Sequence, residues 1–274
     1  MSRTRSDIPR AQRIVVKVGS SSISGENADR IDLLVDALAA AHGRGTEVVL
    51  VSSGAIATGM PFLGLGDRPT DLATQQAAAA VGQNVLIYRY QESLSRFDIT
   101  AGQVLLTAGD LEDPVPRGNA EQAMNRLLEL RILPIVNEND TVATAEIRFG
   151  DNDRLAALVA SLLQADVLIL LSDVDALYTK PPHQPGAERL DFVAFGDELA
   201  GLEFGSVGAA GVGTGGAATK VSAARHAADA GVSVLVTSST MVDQALSGEM
   251  IGTWFEAKRV ASDSADARLA SERK

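Results

Sequence analysis

Ile14-Val-Val-Lys-Val-Gly-Ser-Ser-Ser22 decides how the rest of the chain is read. Ile14 to Val18 is β-branched at every position but Lys17 and reads as a short strand. The strand runs straight into Gly19 and three serines, a turn whose exposed backbone N–H groups suit an anion. Lysine is costly to bury in an apolar strand unless an anion meets it. Downstream, Ile31, Leu34, Val35 and Leu38 fall at helical spacing within Ala28–Gly43, and Glu47-Val-Val-Leu-Val51 is a second, almost wholly apolar strand. Strand, helix and strand with short turns make a βαβ unit.

The pattern continues to the end of the chain. Helical stretches are expected at Asp71–Arg96, Arg117–Arg131, 153–163 and Ala217–Ala230. Strands are expected at Ile99–Thr107, Ile132–Val136, Asp166–Leu171 and Val232–Val236, with a short closing strand at Gly252–Phe255. Pro134 inside the fourth strand predicts incomplete pairing there. Asn137–Gly150 reads as a polar hairpin or flap, and Tyr178–Glu188, with Pro181, Pro182 and Pro185, as an irregular excursion. Val193–Gly216 contains eight glycines and reads as mobile. This alternation predicts an α/β fold, a three-layer sandwich with a mainly parallel central sheet. Residues 13–257 form the expected domain, between flexible tails at 1–12 and 258–274 that hold Arg3, Arg5, Arg10, Lys258 and Arg259.

Composition narrows the function. The 274 residues are 46% apolar, enough for a large core. The net charge of −11 and the lack of a basic stripe argue against nucleic acid. No apolar run approaches the ~18–20 residues of a membrane span, and the polar N-terminus has no signal-peptide core. There is no cysteine, and His42, His183 and His226 have no zinc-like spacing, so no metal site is expected from the protein's own residues. A cytoplasmic protein is expected.

Two further segments resemble the first turn. Val51-Ser-Ser-Gly-Ala55 ends the second strand, and Gly213-Thr-Gly-Gly-Ala-Ala-Thr-Lys220 opens a helix. Three anion-friendly segments point to a nucleotide triphosphate beside a second anionic substrate. Gly211-Val-Gly-Thr-Gly-Gly216 matches a dinucleotide fingerprint in letters only, because no strand immediately precedes it. Asn137-Glu-Asn-Asp140 and Gly150-Asp-Asn-Asp153 consist wholly of Gly, Asn, Asp and Glu, acceptors that an ammonium group needs. Ser172-Asp-Val-Asp175 follows a buried strand at the edge where open α/β sheets bind ligands.

Taken in order, seven motifs resemble the amino-acid kinase family, in its branch that phosphorylates glutamate: the Val15–Ser21 start, Val51–Ala57, Gln75–Gln83, Asn137–Val142, Phe149–Arg154, Leu171–Tyr178, and Gly213–Gly216 with Lys220. The resemblance runs from about Arg13 to Ala257. It implies that Ser53, Asp140 and Asn152 bind L-glutamate, and that Ser172, Asp173 and the loop Thr214, Gly215, Gly216, Ala217, Ala218, Thr219 and Lys220 bind ATP. Lys17 and Lys220 would grip the transferring phosphoryl group and Asp153 would orient both. Mg²⁺ would be held mainly by the nucleotide phosphates. Proline is implied as a feedback inhibitor, a homo-oligomer as the assembly, and a short form without the PUA domain that many members carry. The rival readings are an acetylglutamate or uridylate kinase of the same family, or a non-catalytic nucleotide-binding regulator.

Overall fold

The computed structural model describes residues 3–27, 30–143, 152–199 and 216–259. In chain order the elements are β1 (Arg13–Lys17), α1 (Arg30–Gly43), β2 (Glu47–Val51), α2 (Ala55–Gly59), α3 (Leu72–Ser95), β3 (Ala101–Leu106), α4 (Ala108–Glu112), α5 (Pro114–Glu129), β4 (Leu133–Glu138), α6 (Asn152–Leu162), β5 (Val167–Ser172), β6 (Leu177–Tyr178), β7 (Arg189–Leu190), β8 (Phe192–Val193), α7 (Ala217–Asp229), β9 (Ser233–Ser238), α8 (Val242–Leu246) and β10 (Thr253–Phe255). Eight strands form one sheet in the order β3-β4-β2-β1-β5-β9-β10-β8, and β6 pairs with β7 apart from it. The sheet is parallel except where β10 meets β9.

The two-residue period of a strand divides the core. Ile14, Val16, Val48, Leu50, Val167 and Ile169 point to one face and pack with α1, α3 and α8. Val15, Val49, Val51, Leu168 and Leu170 point to the other and pack with α5, α6 and α7. The same alternation sends Lys17 to the face of Val15, towards α6. Helices on both faces make this the expected three-layer sandwich.

Boundaries follow local chemistry. Asp71 caps α3 by accepting the Thr74 N–H at 2.8 Å. The β4–β2 ladder begins at Ile135, one residue beyond Pro134, as the missing N–H predicts. Two expectations need correction. Residues 5–12 are not a loose tail: Arg5–Arg10 form a 3-10 helix and Ile8 is fully buried. Arg5 is buried with it, donating to the carbonyls of Asp191 and Gly252, the latter at 2.9 Å. Arg13 bridges Glu47 at 2.7 Å and donates to the Leu163 carbonyl at 2.6 Å. The polar composition hid these contacts because arginine satisfies backbone carbonyls that no sequence pattern reveals. Asn137 and Glu138 are also not loop; they extend β4, opposite Leu105 and Leu106. Residues 144–150 of the expected flap, 200–215 of the glycine-rich segment and 260–274 of the C-terminal tail lie outside the described residues.

The tightest packing lies between α2 and α3. A Cβ on Gly82 would stand 1.8 Å from the Ala55 carbonyl oxygen, and one on Gly59 1.9 Å from that of Ala78. These are backbone atoms with nowhere to go. Gly82→Ala is therefore expected to lower the unfolding free energy by about 3 kcal/mol or more, at or above the top of the overpacking range. Urea unfolding measures it; stability equal to the wild type would show that the two helices can part.

Candidate active site

Parallel strands present their carboxyl ends on one edge, and the loops there carry the site. Lys17 is the last residue of β1, Asp153 the second of α6 and Lys220 the fourth of α7. Their charged groups meet inside the protein. Lys17 Nζ lies 2.6 Å from Asp153 Oδ1, and Lys220 Nζ 3.0 Å from Asp153 Oδ2. Lys17, Asp153 and Lys220 are 4%, 0% and 7% exposed, so the charges are held in a low dielectric where they act strongly. Burial alone would push the Asp153 carboxyl up. The two ammonium groups overcome it and hold the carboxyl well below its ordinary range. Asp153 is therefore held as an anion, and it fixes the spacing of the two ammonium groups.

Gly216 caps α7 with no side-chain bond, and a Cβ there would meet only open space. The first turn of α7 thus begins with backbone N–H groups available to a phosphate. Thr219 Oγ1 donates to the Gly216 carbonyl at 2.8 Å and reaches Asp153 Oδ2 at 3.4 Å. Thr214 and Gly215 lie outside the described residues; Gly216, Ala217, Ala218, Thr219 and Lys220 form the cap and first turn of α7. Ser172 ends β5, the direct neighbour of β1. Its hydroxyl donates to Asp173 at 3.0 Å, and Asp173 is exposed.

On the other side of β1 lies the Ser52–Gly54 turn. Gly54 takes φ +93°, a left-handed conformation that favours glycine. Asn152 Nδ2 donates to the Ser52 carbonyl at 2.6 Å and to Asn137 Oδ1 at 2.7 Å. Asn137 Nδ2 donates in turn to Gln83 Oε1 at 2.6 Å. This network accounts for an amide buried at the end of a strand. Asp140 lines an open cleft of about 290 Å³ with Glu138, Gln83, Asn84, Gln103 and Asn139 among its walls. Among the described residues, no lysine, arginine or histidine lines that cleft.

The structure therefore brings Lys17, Asp153 and Lys220 into contact and sets Asn152 beside them, with Ser53 on the adjoining turn and Asp140 in the neighbouring cleft. Sequence reasoning did not single out Gln83 or Tyr90, and it took Asn137 only as part of the Asn137–Asp140 acceptor segment. Gln83 and Asn137 stand inside quoted motifs, so a signal existed; Tyr90 looks like any core aromatic. Among the described residues no group of three His, Cys, Asp or Glu side chains could hold a metal, and both Asp153 oxygens are occupied by lysines. No helix among the described residues is long and apolar enough to cross a membrane.

Residues 12–238 match the amino acid kinase family, and the chain belongs to it. Relatives named glutamate 5-kinase include one from Leifsonia xyli subsp. xyli, 70% identical over 96% of this chain and 98% of its own length. The relative from Clavibacter sepedonicus is 73% identical over 92% and 97% respectively. The one from Streptomyces coelicolor is 55% identical over 94% of this chain and 70% of its own. In fold, the chain resembles the carbamate kinase from Giardia lamblia bound to AMP-PNP, with a TM-score of 0.65 at 17% identity, covering 91% of this chain and 100% of that one.

Proposed function

We propose that this chain transfers the γ-phosphoryl group of ATP to the side-chain carboxylate of L-glutamate, giving ADP and L-glutamyl 5-phosphate, the first step towards proline. The observation that carries the reading is the buried Lys17–Asp153–Lys220 group beside a cleft walled by carboxylates and carboxamides. The relatives' shared name supports glutamate as the substrate.

The chemistry needs little beyond placement. A carboxylate with an unperturbed pKa near ~4.3 is already ionised, so no general base is required. One of its oxygens forms a bond to the γ-phosphorus as the bond to the bridging oxygen breaks and ADP leaves with that electron pair. The obstacle is repulsion between two anions. Lys17 and Lys220 offset it and align the γ-phosphate, while Asp153 keeps both ammonium groups at their stations. The first turn of α7, with Ser172 at the end of β5 and Asp173 just beyond it, holds the nucleotide. Ser53, Asp140 and Asn152 hold glutamate, with Asp140 taking its ammonium group. Mg²⁺, when bound, neutralises charge on the nucleotide phosphates.

The test is ADP release with hydroxylamine trapping of the acyl phosphate, run across a panel of acceptors. Glutamate is expected to give the hydroxamate, and acetylglutamate to fail because its amine is blocked. Added proline is expected to slow the glutamate reaction by competing for the same groups. A hydroxamate formed from acetylglutamate, or none from glutamate, would overturn the reading.

A further inference from the structure

We propose that α3 positions the amino-acid side of the site, with Tyr90 as a positioning residue buried away from the cleft and Gln83 holding Asn137 from the cleft wall. The proposal rests on the reading of function above and deepens it. Tyr90 is fully buried, and its hydroxyl lies 3.0 Å from Ser52 Oγ. Burial raises the phenol well above its ordinary range, so it stays a neutral hydroxyl. Ser52 is the residue on which the substrate turn depends. Its N–H donates to the Val136 carbonyl at 2.8 Å, and its own carbonyl accepts from Asn152 at 2.6 Å. With the hydroxyl tied to Tyr90, Ser52 is held by β4, α6 and α3 at once, and Ser53 follows directly in the chain.

Gln83 stands seven residues before Tyr90, two helical turns along the same face. It accepts from Asn137, whose Oδ1 accepts from Asn152. Polar contacts thus leave α3 at Tyr90, pass through Ser52, Asn152 and Asn137, and return to α3 at Gln83. Asn152 sits midway with both bonds made by its amide nitrogen. Its orientation is fixed, and what it has left to offer is an oxygen, the acceptor that an ammonium group needs. The close backbone contact of Gly82 with Ala55 fixes α3 against the start of α2 and so against the same turn.

A core tyrosine whose hydroxyl merely needs a partner predicts a loss of stability with no preference between substrates. A positioning role predicts that preference. Tyr90→Phe keeps the ring and removes one hydrogen bond, worth about a three- to tenfold change. The KM for glutamate is expected to rise by about that factor while the KM for ATP stays within about twofold. Gln83→Leu is expected to act in the same direction. Adding Ser52→Ala to Tyr90→Phe is expected to raise the glutamate KM no further than the worse single change, because both remove the same bond. A glutamate KM in Tyr90→Phe within about twofold of wild type, or an ATP KM rising in parallel, would overturn the positioning role. Thermal unfolding reports whether each variant is folded; should Tyr90→Phe not fold, Ser52→Ala tests the bond from its other end. Wild-type protein that forms no glutamyl hydroxamate refutes the reading of function and this proposal together. Wild-type turnover with an unchanged glutamate KM in the variants refutes this proposal alone.

Discussion

Lys17→Ala is expected to lower kcat by about a hundredfold or more, the loss seen when one preorganised donor to a developing anion is removed. The ammonium group is 2.6 Å from Asp153 in a site closed to solvent, so no water replaces it at full strength. Removing it also leaves Lys220 as the remaining lysine on Asp153, which draws Lys220 towards the carboxylate and away from phosphate. The effect belongs in kcat because the lysine acts on charge that builds during transfer. Steady-state rates at saturating ATP and glutamate measure it, and Lys220→Ala is expected to behave alike. Turnover near the wild-type value in either variant would end the assignment of these lysines to the phosphoryl group.

Asp153→Asn attacks the same group from its centre and is expected to cost both turnover and stability. Removing one partner from a buried ion pair typically costs about 3–5 kcal/mol, because the remaining charges are left without compensation. Here two buried ammonium groups lose the carboxylate that separates them. The pH dependence identifies the cause. Asp153 has a folded-state value depressed below the ordinary 3.8, so its contribution is present above the unfolded value and fades as pH falls below it. The stability gap between wild type and Asp153→Asn is expected to hold constant between about pH 5 and pH 8 and to narrow below about pH 4. Urea unfolding across that range checks it. A gap that narrows already near neutral pH would show that a group other than Asp153 sets the energetics.

Much of this was open to reading because it rests on local pattern. Ile14–Val18 and Glu47–Val51 advertise buried parallel strands by their β-branched content, and Gly19 and Gly54 mark where the backbone must turn. Other features escaped for stated reasons. Arg5 looked like a solvated charge, yet its partners are carbonyls of Asp191 and Gly252, which carry no sequence signature. Asn137 and Glu138 looked like loop, yet pairing with β3 and an amide network extend the strand through them. Tyr90 fell at an apolar helical position, and nothing in helical periodicity separates a packing aromatic from one that holds a serine.

The chain's own letters were enough to establish the layered α/β fold, the family, and which residue types stand at the carboxyl ends of its strands. Short-range sterics and hydrophobic alternation act over a few residues and leave their trace in order and spacing. Folding alone decided that Lys17, Asp153 and Lys220 meet, and that α3 closes a ring of hydrogen bonds around Asn152. Those contacts join segments far apart in the chain, and their energy comes from burial and geometry that exist only once the helices are packed against the sheet.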